Sequence, residues 1–159
     1  MASSANDPMN LAKTSDSGIG VQAATCALVV DDEPNIREFL RFALARQCGL
    51  VEVADSAQAA QKLMSHHRFD VIVVDIDLPG QSGLDWVQGL REQGVMTPVI
   101  FITGLDEPEG CGRTGEISHA QCISKPFALD EMIAAVRHAL ERPEAKDAAT
   151  APQAAEDAR

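Results

Sequence analysis

Side chains that could do chemistry together stand at the ends of short apolar runs in this 159-residue chain. Three carboxylates placed together would repel one another and raise one another's pKa values unless a cation joined them. Magnesium suits such a place, since it takes a few carboxylates together with phosphate and water. Taken singly, an Asp at a strand end is usually a turn or cap residue, so only the combination is specific. The set is Asp31, Asp32, Asp75, Thr103 and Lys125.

Five apolar runs that alternate with helical patterns are the elements that must position this set. We predict strands over residues 27–30, 50–54, 71–74, 98–103 and 120–124. Pro34 suits a first helical turn, and Asp55 or Ser56 can cap the helix that runs through Met64. Apolar, uninterrupted strands in βα units indicate an α/β fold with a parallel sheet covered on both faces. Such sheets bind ligands outside the carboxyl ends of their strands, where the set would converge.

Composition limits the function classes. The formal net charge of −11 disfavours nucleic acid and anionic membrane surfaces as partners, because both carry negative charge themselves. We find neither a signal peptide nor an apolar stretch of about 18 residues, so we expect a cytoplasmic protein.

Residues 1–24 and 143–159 have the composition of disordered tails around one domain over residues 25–142. The residues after Arg142 are few and polar, so we expect them not to fold as an output domain.

Four segments resemble the signature segments of response-regulator receivers, the signalling domains of two-component systems. They are Val29-Val30-Asp31-Asp32-Glu33, Asp75-Ile76-Asp77-Leu78-Pro79-Gly80, Ile102-Thr103-Gly104 and Ser124-Lys125-Pro126-Phe127. The resemblance covers residues 25–142 and implies a doubly wound (βα)5 flavodoxin-like fold with strand order 2-1-3-4-5. It implies a stand-alone, single-domain response regulator that acts through protein contacts, as a monomer or weak dimer. Its partners would be a sensor histidine kinase or histidine phosphotransferase and an unknown downstream protein.

The resemblance also implies a role for each residue of the set. Asp75 would accept a phosphoryl group, and Asp31, Asp32, Asp75 and the backbone carbonyl of Asp77 would hold Mg²⁺. Thr103 and Lys125 would contact the phosphoryl group, Gly104 would leave room for it, and the bond before Pro126 would be cis. These roles suit phosphoryl transfer, which depends on positioning and on charge neutralisation. Beyond self-phosphotransfer and autodephosphorylation, no enzyme activity is expected.

Two features depart from the family pattern. The switch position three residues before the lysine usually carries Tyr or Phe, and here it is Cys122. The region of the fourth helix contains Pro108, Gly110, Gly112 and Gly115, which are poor helix formers. We therefore expect a short or irregular fourth helix and a mobile segment over residues 105–119.

The four cysteines are widely spaced and form no Cys-x-x-Cys pair. In a reducing compartment we expect all four to be free thiols. They are Cys26, Cys48, Cys111 and Cys122.

Two other functions fit part of the pattern. Asp75-Ile76-Asp77 matches the Asp-x-Asp of haloacid-dehalogenase-type phosphatases, but those enzymes place an acidic metal-binding pair after the lysine, and here the pair comes first. A pseudo-receiver, which is a scaffold that is never phosphorylated, gains weight from Cys122, although every residue needed for phosphorylation is present.

Overall fold

The predicted α/β architecture is confirmed by a computed structural model, which describes residues 22–104 and 108–141. The strands are β1 (Gln22–Val30), β2 (Cys48–Ala54), β3 (Val71–Asp75), β4 (Val99–Thr103) and β5 (Ala120–Ser124). The helices are α1 (Pro34–Leu44), α2 (Ala57–Met64), α3 (Gly83–Glu92), α4 (Pro108–Thr114) and α5 (Leu129–Glu141). Strand and helix alternate along the chain, as the apolar runs predict.

All neighbouring strands of the single five-stranded sheet are parallel, and their order is β2-β1-β3-β4-β5. Successive residues of a strand point to opposite faces, so each central strand contributes to two cores. Leu28, Ile72 and Phe101 belong to the core under α2 and α3. Val29, Val73 and Ile100 belong to the core under α1 and α5. Both faces are therefore covered, and all five residues of β3 and of β4 are buried.

Local sequence signals mark the starts of α1, α2 and α3, as predicted for the first two. Pro34 is the first residue of α1. The hydroxyl of Ser56 accepts a hydrogen bond from the Ala59 amide at 3.1 Å and caps α2. The hydroxyl of Ser82 does the same for α3 by accepting from the Asp85 amide at 3.1 Å. Each cap satisfies a backbone donor that the helix itself leaves without a partner.

Two strands begin earlier than expected. β1 begins at Gln22, inside the segment assigned to the N-terminal tail, and β2 begins at Cys48, two residues before its predicted start. These strand ends pair with each other, since Gln22 lies opposite Cys48. Pairing is a tertiary effect that local composition does not show.

The fourth helix is short, as predicted from its glycines and proline. It comprises only seven residues, Pro108–Thr114, and the chain continues through turns to β5. The predicted tails, except residues 22–24, lie outside the described residues, as do residues 105–107 of the predicted mobile segment. Among the described residues, no helix is both long enough and apolar enough to span a membrane.

Candidate functional site

The polar residues of the predicted set lie at one edge of the sheet. Asp31 directly follows β1, Asp75 and Thr103 are the last residues of β3 and β4, and Lys125 directly follows β5. Because these four strands are parallel neighbours, their carboxyl ends meet at the same edge. The structure therefore brings together residues that are up to 94 positions apart in the chain, Asp31 and Lys125 being the extremes.

Three carboxylates form a compact cluster at this edge. One carboxylate oxygen from each of Asp31, Asp32 and Asp75 lies within 4.8 Å of the other two. Asp31 and Asp75 are buried, whereas Asp32 is exposed. The cluster thus has a buried floor and a side that is open to solvent.

Backbone amides hold the two buried carboxylates in place. The amide of Glu33 donates to Oδ1 of Asp31 at 2.8 Å, and the amide of Asp77 donates to Oδ1 of Asp75 at 2.9 Å. Oδ2 of Asp31 is buried and has no hydrogen-bond partner in the described part of the protein. Since buried polar atoms are normally satisfied, this oxygen has an unused capacity to bind a donor or a cation.

Lys125 brings a positive charge to the cluster. Its Nζ lies 3.1 Å from Oδ2 of Asp75 and 3.5 Å from Oδ2 of Asp31. It also donates to Oε1 of Glu33 at 3.1 Å, a contact that the sequence analysis did not foresee. Burial lowers the pKa of Lys125, but the carboxylates of Asp75, Asp31 and Glu33 outweigh it and raise the pKa above its usual value. The ammonium group therefore stays charged.

One ammonium group does not offset the carboxylates around it. The pKa of Asp31 is raised to about 6, because burial and the charge of Asp75 outweigh the opposing effects of the Glu33 amide and Lys125. Burial also raises the pKa of Asp75, although the Asp77 amide and Lys125 lower it. Raised carboxylate pKa values mark a site where a further positive charge would be stabilising.

Thr103 adds a hydroxyl group to the same edge. The residue is buried, and its Oγ1 has no hydrogen-bond partner among the described residues. Its carbonyl oxygen accepts a hydrogen bond from the Lys125 amide at 2.7 Å, so the ends of β4 and β5 are held together. A Cβ added to the neighbouring Gly104 would meet no atom of the described residues within 4 Å.

Two backbone features shape the edge. The Lys125–Pro126 peptide bond is cis, the isomer that the family resemblance implies. Gly83 begins α3 directly under the Asp75 loop, and its amide donates to the Ile76 carbonyl at 2.9 Å. A Cβ at Gly83 would overlap the carbonyl oxygen of Asp75. Only glycine lets the helix approach the loop this closely.

The expectation of four free thiols is wrong for two of them. Cys122, the residue at the switch position, forms a disulfide with Cys111 across a Cα–Cα distance of 5.6 Å. Cys111 lies on α4 and Cys122 on β5, so the packing of the helix against the strand brings them together. Spacing along the chain does not show such tertiary proximity. The prediction is confirmed for Cys26 and Cys48, which are free.

Arg91 has a structural role that the sequence did not predict. From the last turn of α3, its guanidinium donates to the carbonyls of Val95 and Thr97 at 2.9 Å each, and to that of Ser118 at 3.1 and 2.9 Å. Burial lowers its pKa to about 10. The side chain therefore ties α3 to the loops that lead into β4 and β5.

The donor set fits a magnesium ion. It consists of carboxylate oxygens, which are the ligands that this hard cation prefers. The buried oxygen of Asp31 without a hydrogen bond and the raised pKa values of Asp31 and Asp75 are both features that a divalent cation would relieve. The structure thus supports the prediction that the carboxylates at this edge of the sheet form a cation site.

Curated relatives of the chain are transcriptional and response regulators. Response regulator protein PmrA of Pseudomonas aeruginosa is 34% identical over 110 residues, which are 69% of this chain and 50% of that protein. Transcriptional regulatory protein TrcR of Mycobacterium tuberculosis is 38% identical over 116 residues, which are 72% of this chain and 45% of that protein. The chain therefore spans about half the length of these relatives.

Solved structures cover the domain more completely. The receiver domain of the Francisella response regulator 1452 aligns with a TM-score of 0.68 at 30% identity, over 74% of this chain and 98% of that one. The chemotaxis response regulator CheY4 of Vibrio cholerae aligns with a TM-score of 0.65 at 26% identity, over 73% and 98%.

The family model of the response regulator receiver domain matches residues 27–137. This range contains the carboxylate cluster, Thr103 and Lys125. Such domains are signalling domains and not enzymes in the usual sense, which agrees with the sequence prediction and does not favour the phosphatase alternative. The chain belongs to the response regulator receiver domain family.

Proposed function

We propose that the chain carries a signal by accepting a phosphoryl group on Asp75 from a histidine kinase or histidine phosphotransferase, with Mg²⁺. The observation that carries this proposal is the contact between Asp75 and Lys125 within the cluster of three carboxylates. Within the cluster, Lys125 lies nearer to Asp75, at 3.1 Å, than to Asp31, at 3.5 Å. The family match supports the partner class, since receiver domains work with histidine kinases.

The transfer exchanges one bond for another. An oxygen of the Asp75 carboxylate forms a bond to phosphorus as the bond between phosphorus and the donor's imidazole nitrogen breaks. The imidazole leaves with the electron pair and regains a proton from water. The protein holds the accepting carboxylate in position through the Asp77 amide, which donates to Oδ1 at 2.9 Å. Such positioning is a large part of catalysis in phosphoryl transfer.

We assign Asp31, Asp32, Asp75 and the backbone carbonyl of Asp77 to the magnesium ion. Bound Mg²⁺ neutralises the charge on the transferring group. Asp31 supplies a buried oxygen without a hydrogen bond, and Asp32 reaches the cluster from the exposed side. The two residues would therefore supply carboxylate ligands from the buried and the exposed part of the cluster.

Lys125 and Thr103 are assigned to the phosphoryl group itself. Lys125 already contacts Asp75 at 3.1 Å, so its ammonium group can move to a phosphoryl oxygen with a small displacement. Thr103 contributes a buried hydroxyl that has no hydrogen-bond partner in the described part of the chain and can donate to a phosphoryl oxygen. Gly104, the next residue, adds no side chain at this point of the chain. Developing negative charge would thus meet donors that are already in place.

An aspartyl phosphate has a chemical signature that tests the proposal. Incubation with acetyl phosphate and Mg²⁺ should yield a phosphorylated protein, and chelation of the metal should prevent it. Hydroxylamine should remove the group, because the product is an acyl phosphate. A phosphate that resists hydroxylamine would place the modification on a Ser or Thr and would contradict the assignment. No modification at all would favour the non-phosphorylated scaffold.

A further inference from the structure

The segment between Thr103 and Lys125 contains a covalent cross-link. The two residues that flank it are the proposed phosphoryl contacts, and within it Cys111 on α4 is joined to Cys122 on β5. Cys122 lies opposite Phe101 in the β4–β5 pairing, two residues before Thr103 on that strand. The bond therefore attaches α4 to the strands that end in the site.

α4 has little stability of its own. It has seven residues, and isolated helices shorter than about 12 residues are marginal in water. Its sequence Pro-Glu-Gly-Cys-Gly-Arg-Thr includes two glycines, the least favourable residues for a helix interior after proline. The helix must therefore be held by contacts with the rest of the domain.

The noncovalent contacts that hold α4 are few in the described part of the segment. Arg113 and Asp85 are 4.0 Å apart, and both side chains are more than half exposed, so water screens this pair. Thr114 bonds within the helix, by donating to the Cys111 carbonyl at 2.6 Å. The buried Ile117 and the Arg91 contact with Ser118 hold the chain after the helix. Among the described side chains of the helix, residues 111–114, the disulfide is the covalent attachment to a strand.

We propose that the Cys111–Cys122 disulfide is a reversible redox lock that sets how firmly α4 is held against β5. The proposal deepens the function proposed above, on which its signalling consequence rests, but the lock itself can be measured without phosphorylation. In the oxidised form α4 stays docked whether or not Asp75 carries a phosphoryl group. In the reduced form α4 detaches readily, and phosphorylation then changes its order.

The chemistry of the lock is thiol–disulfide exchange with a dithiol reductant. One reductant thiolate attacks one sulfur, the bond between the two cysteine sulfurs breaks, and the departing thiolate takes up a proton. The second reductant thiol then attacks the mixed disulfide and releases the other cysteine. The protein gains two electrons and two protons, and the reductant leaves as a disulfide. A disulfide oxidant, such as oxidised glutathione, reverses each step.

Position and compartment both favour a reversible bond. Cys111 and Cys122 are each half-buried, so a reductant does not have to enter a closed core, whereas Cys48 is fully buried. The sequence predicts a cytoplasmic protein, and disulfides in reducing compartments are mostly transient or redox-sensing. The lock also reconciles the disulfide with the predicted mobility of residues 105–119, since that mobility then belongs to the reduced form.

Hydrogen exchange on the full unphosphorylated chain tests the lock. The disulfide closes a loop with a sequence separation of 11. The conformational entropy that this loop loses lowers the population of the state with α4 detached by up to about 100-fold. We expect amides of residues 111–119 to exchange at least tenfold faster after reduction with a phosphine, with β3 unchanged. Cys111→Ser should exchange like the reduced protein, and the control Cys26→Ser like the oxidised protein. Peptide mapping without reductant, after oxidised glutathione, should recover the linked peptides.

Three results would overturn the lock: no linked peptide after oxidation, equal exchange in both redox forms, or a change spread over the whole sheet. A second measurement adds acetyl phosphate and Mg²⁺. We expect phosphorylation to slow exchange in residues 111–119 of the reduced protein and to leave the oxidised protein unchanged. An equal response in both forms would overturn the coupling. If neither form is phosphorylated, the proposed function fails, and the exchange comparison still decides whether the lock exists.

Discussion

Gly83 offers a sharp test of how the Asp75 loop is supported. Replacing it with alanine would place a Cβ against the carbonyl oxygen of Asp75, with Val74 Cγ2 a further 3.1 Å contact. The obstacle is mainly backbone, so a flexible side chain cannot relieve it. Either α3 or the Asp75 loop must shift, and the hydrogen bond from the Gly83 amide to the Ile76 carbonyl lies in the path of that shift.

The expected cost follows from these two contacts. Overpacking in a well-packed region costs about 1–3 kcal/mol, and loss of a backbone hydrogen bond adds about 0.5–1.5 kcal/mol. Part of this loss of stability is offset, because alanine is a better helix former than glycine by up to about 1 kcal/mol. We therefore expect Gly83→Ala to lower the free energy of unfolding by about 0.5–4.5 kcal/mol, and to slow phosphorylation because the Asp75 carboxylate is displaced.

Gly89 is the matched control on the same helix. A Cβ at Gly89 would meet nothing within 4 Å, so Gly89→Ala gains helix propensity without a clash and should stabilise the protein by up to about 1 kcal/mol. Urea unfolding of both variants, followed by far-ultraviolet circular dichroism, measures the two changes. If Gly83→Ala were as stable as the unmodified chain while Gly89→Ala behaved as expected, the close approach of α3 to Asp75 would be wrong.

Three further predictions concern individual side chains. Lys125→Ala should bind Mg²⁺ but accept phosphate from acetyl phosphate about 100-fold more slowly; loss of Mg²⁺ binding with the fold intact would contradict the assigned geometry. Asp32→Asn should weaken Mg²⁺ binding in calorimetry by about tenfold or more, and by more than Asp31→Asn does; equal losses would leave the two roles undistinguished and the prediction wrong. Arg91→Lys should lower the free energy of unfolding by about 1–3 kcal/mol, since an ammonium cannot reach the carbonyls of Val95, Thr97 and Ser118 together; unchanged urea unfolding would refute this.

The strands and the convergence of the site residues at one edge of the sheet were predictable because both depend on local signals. Asp31, Asp75, Thr103 and Lys125 each stand at the end of an apolar run, and parallel strands bring such ends together whatever the sequence between them. The short fourth helix was predictable for a similar reason, because the backbone preferences of glycine and proline act where those residues stand.

What could not be predicted depends on how separate elements dock. The Cys111–Cys122 bond requires α4 to lie on β5, and no spacing along the chain shows this. Arg91 lies on a helix that is exposed on one side, so the pattern alone does not show a side chain that reaches the loops before β4 and β5. The contact between Glu33 and Lys125 joins two long side chains, whose conformations follow from the charges around them and not from periodicity.

The central claim, that Asp75 accepts the phosphoryl group, is tested most directly by intact-mass spectrometry after incubation with acetyl phosphate and Mg²⁺. The unmodified chain should gain the mass of one phosphoryl group, and Asp75→Ala should gain none. Asp77→Ala is the control, because its exposed side chain is removed while the backbone amide that donates to Asp75 remains; it should still be phosphorylated. A phosphoryl group on Asp75→Ala, or none on the unmodified chain, would contradict the claim.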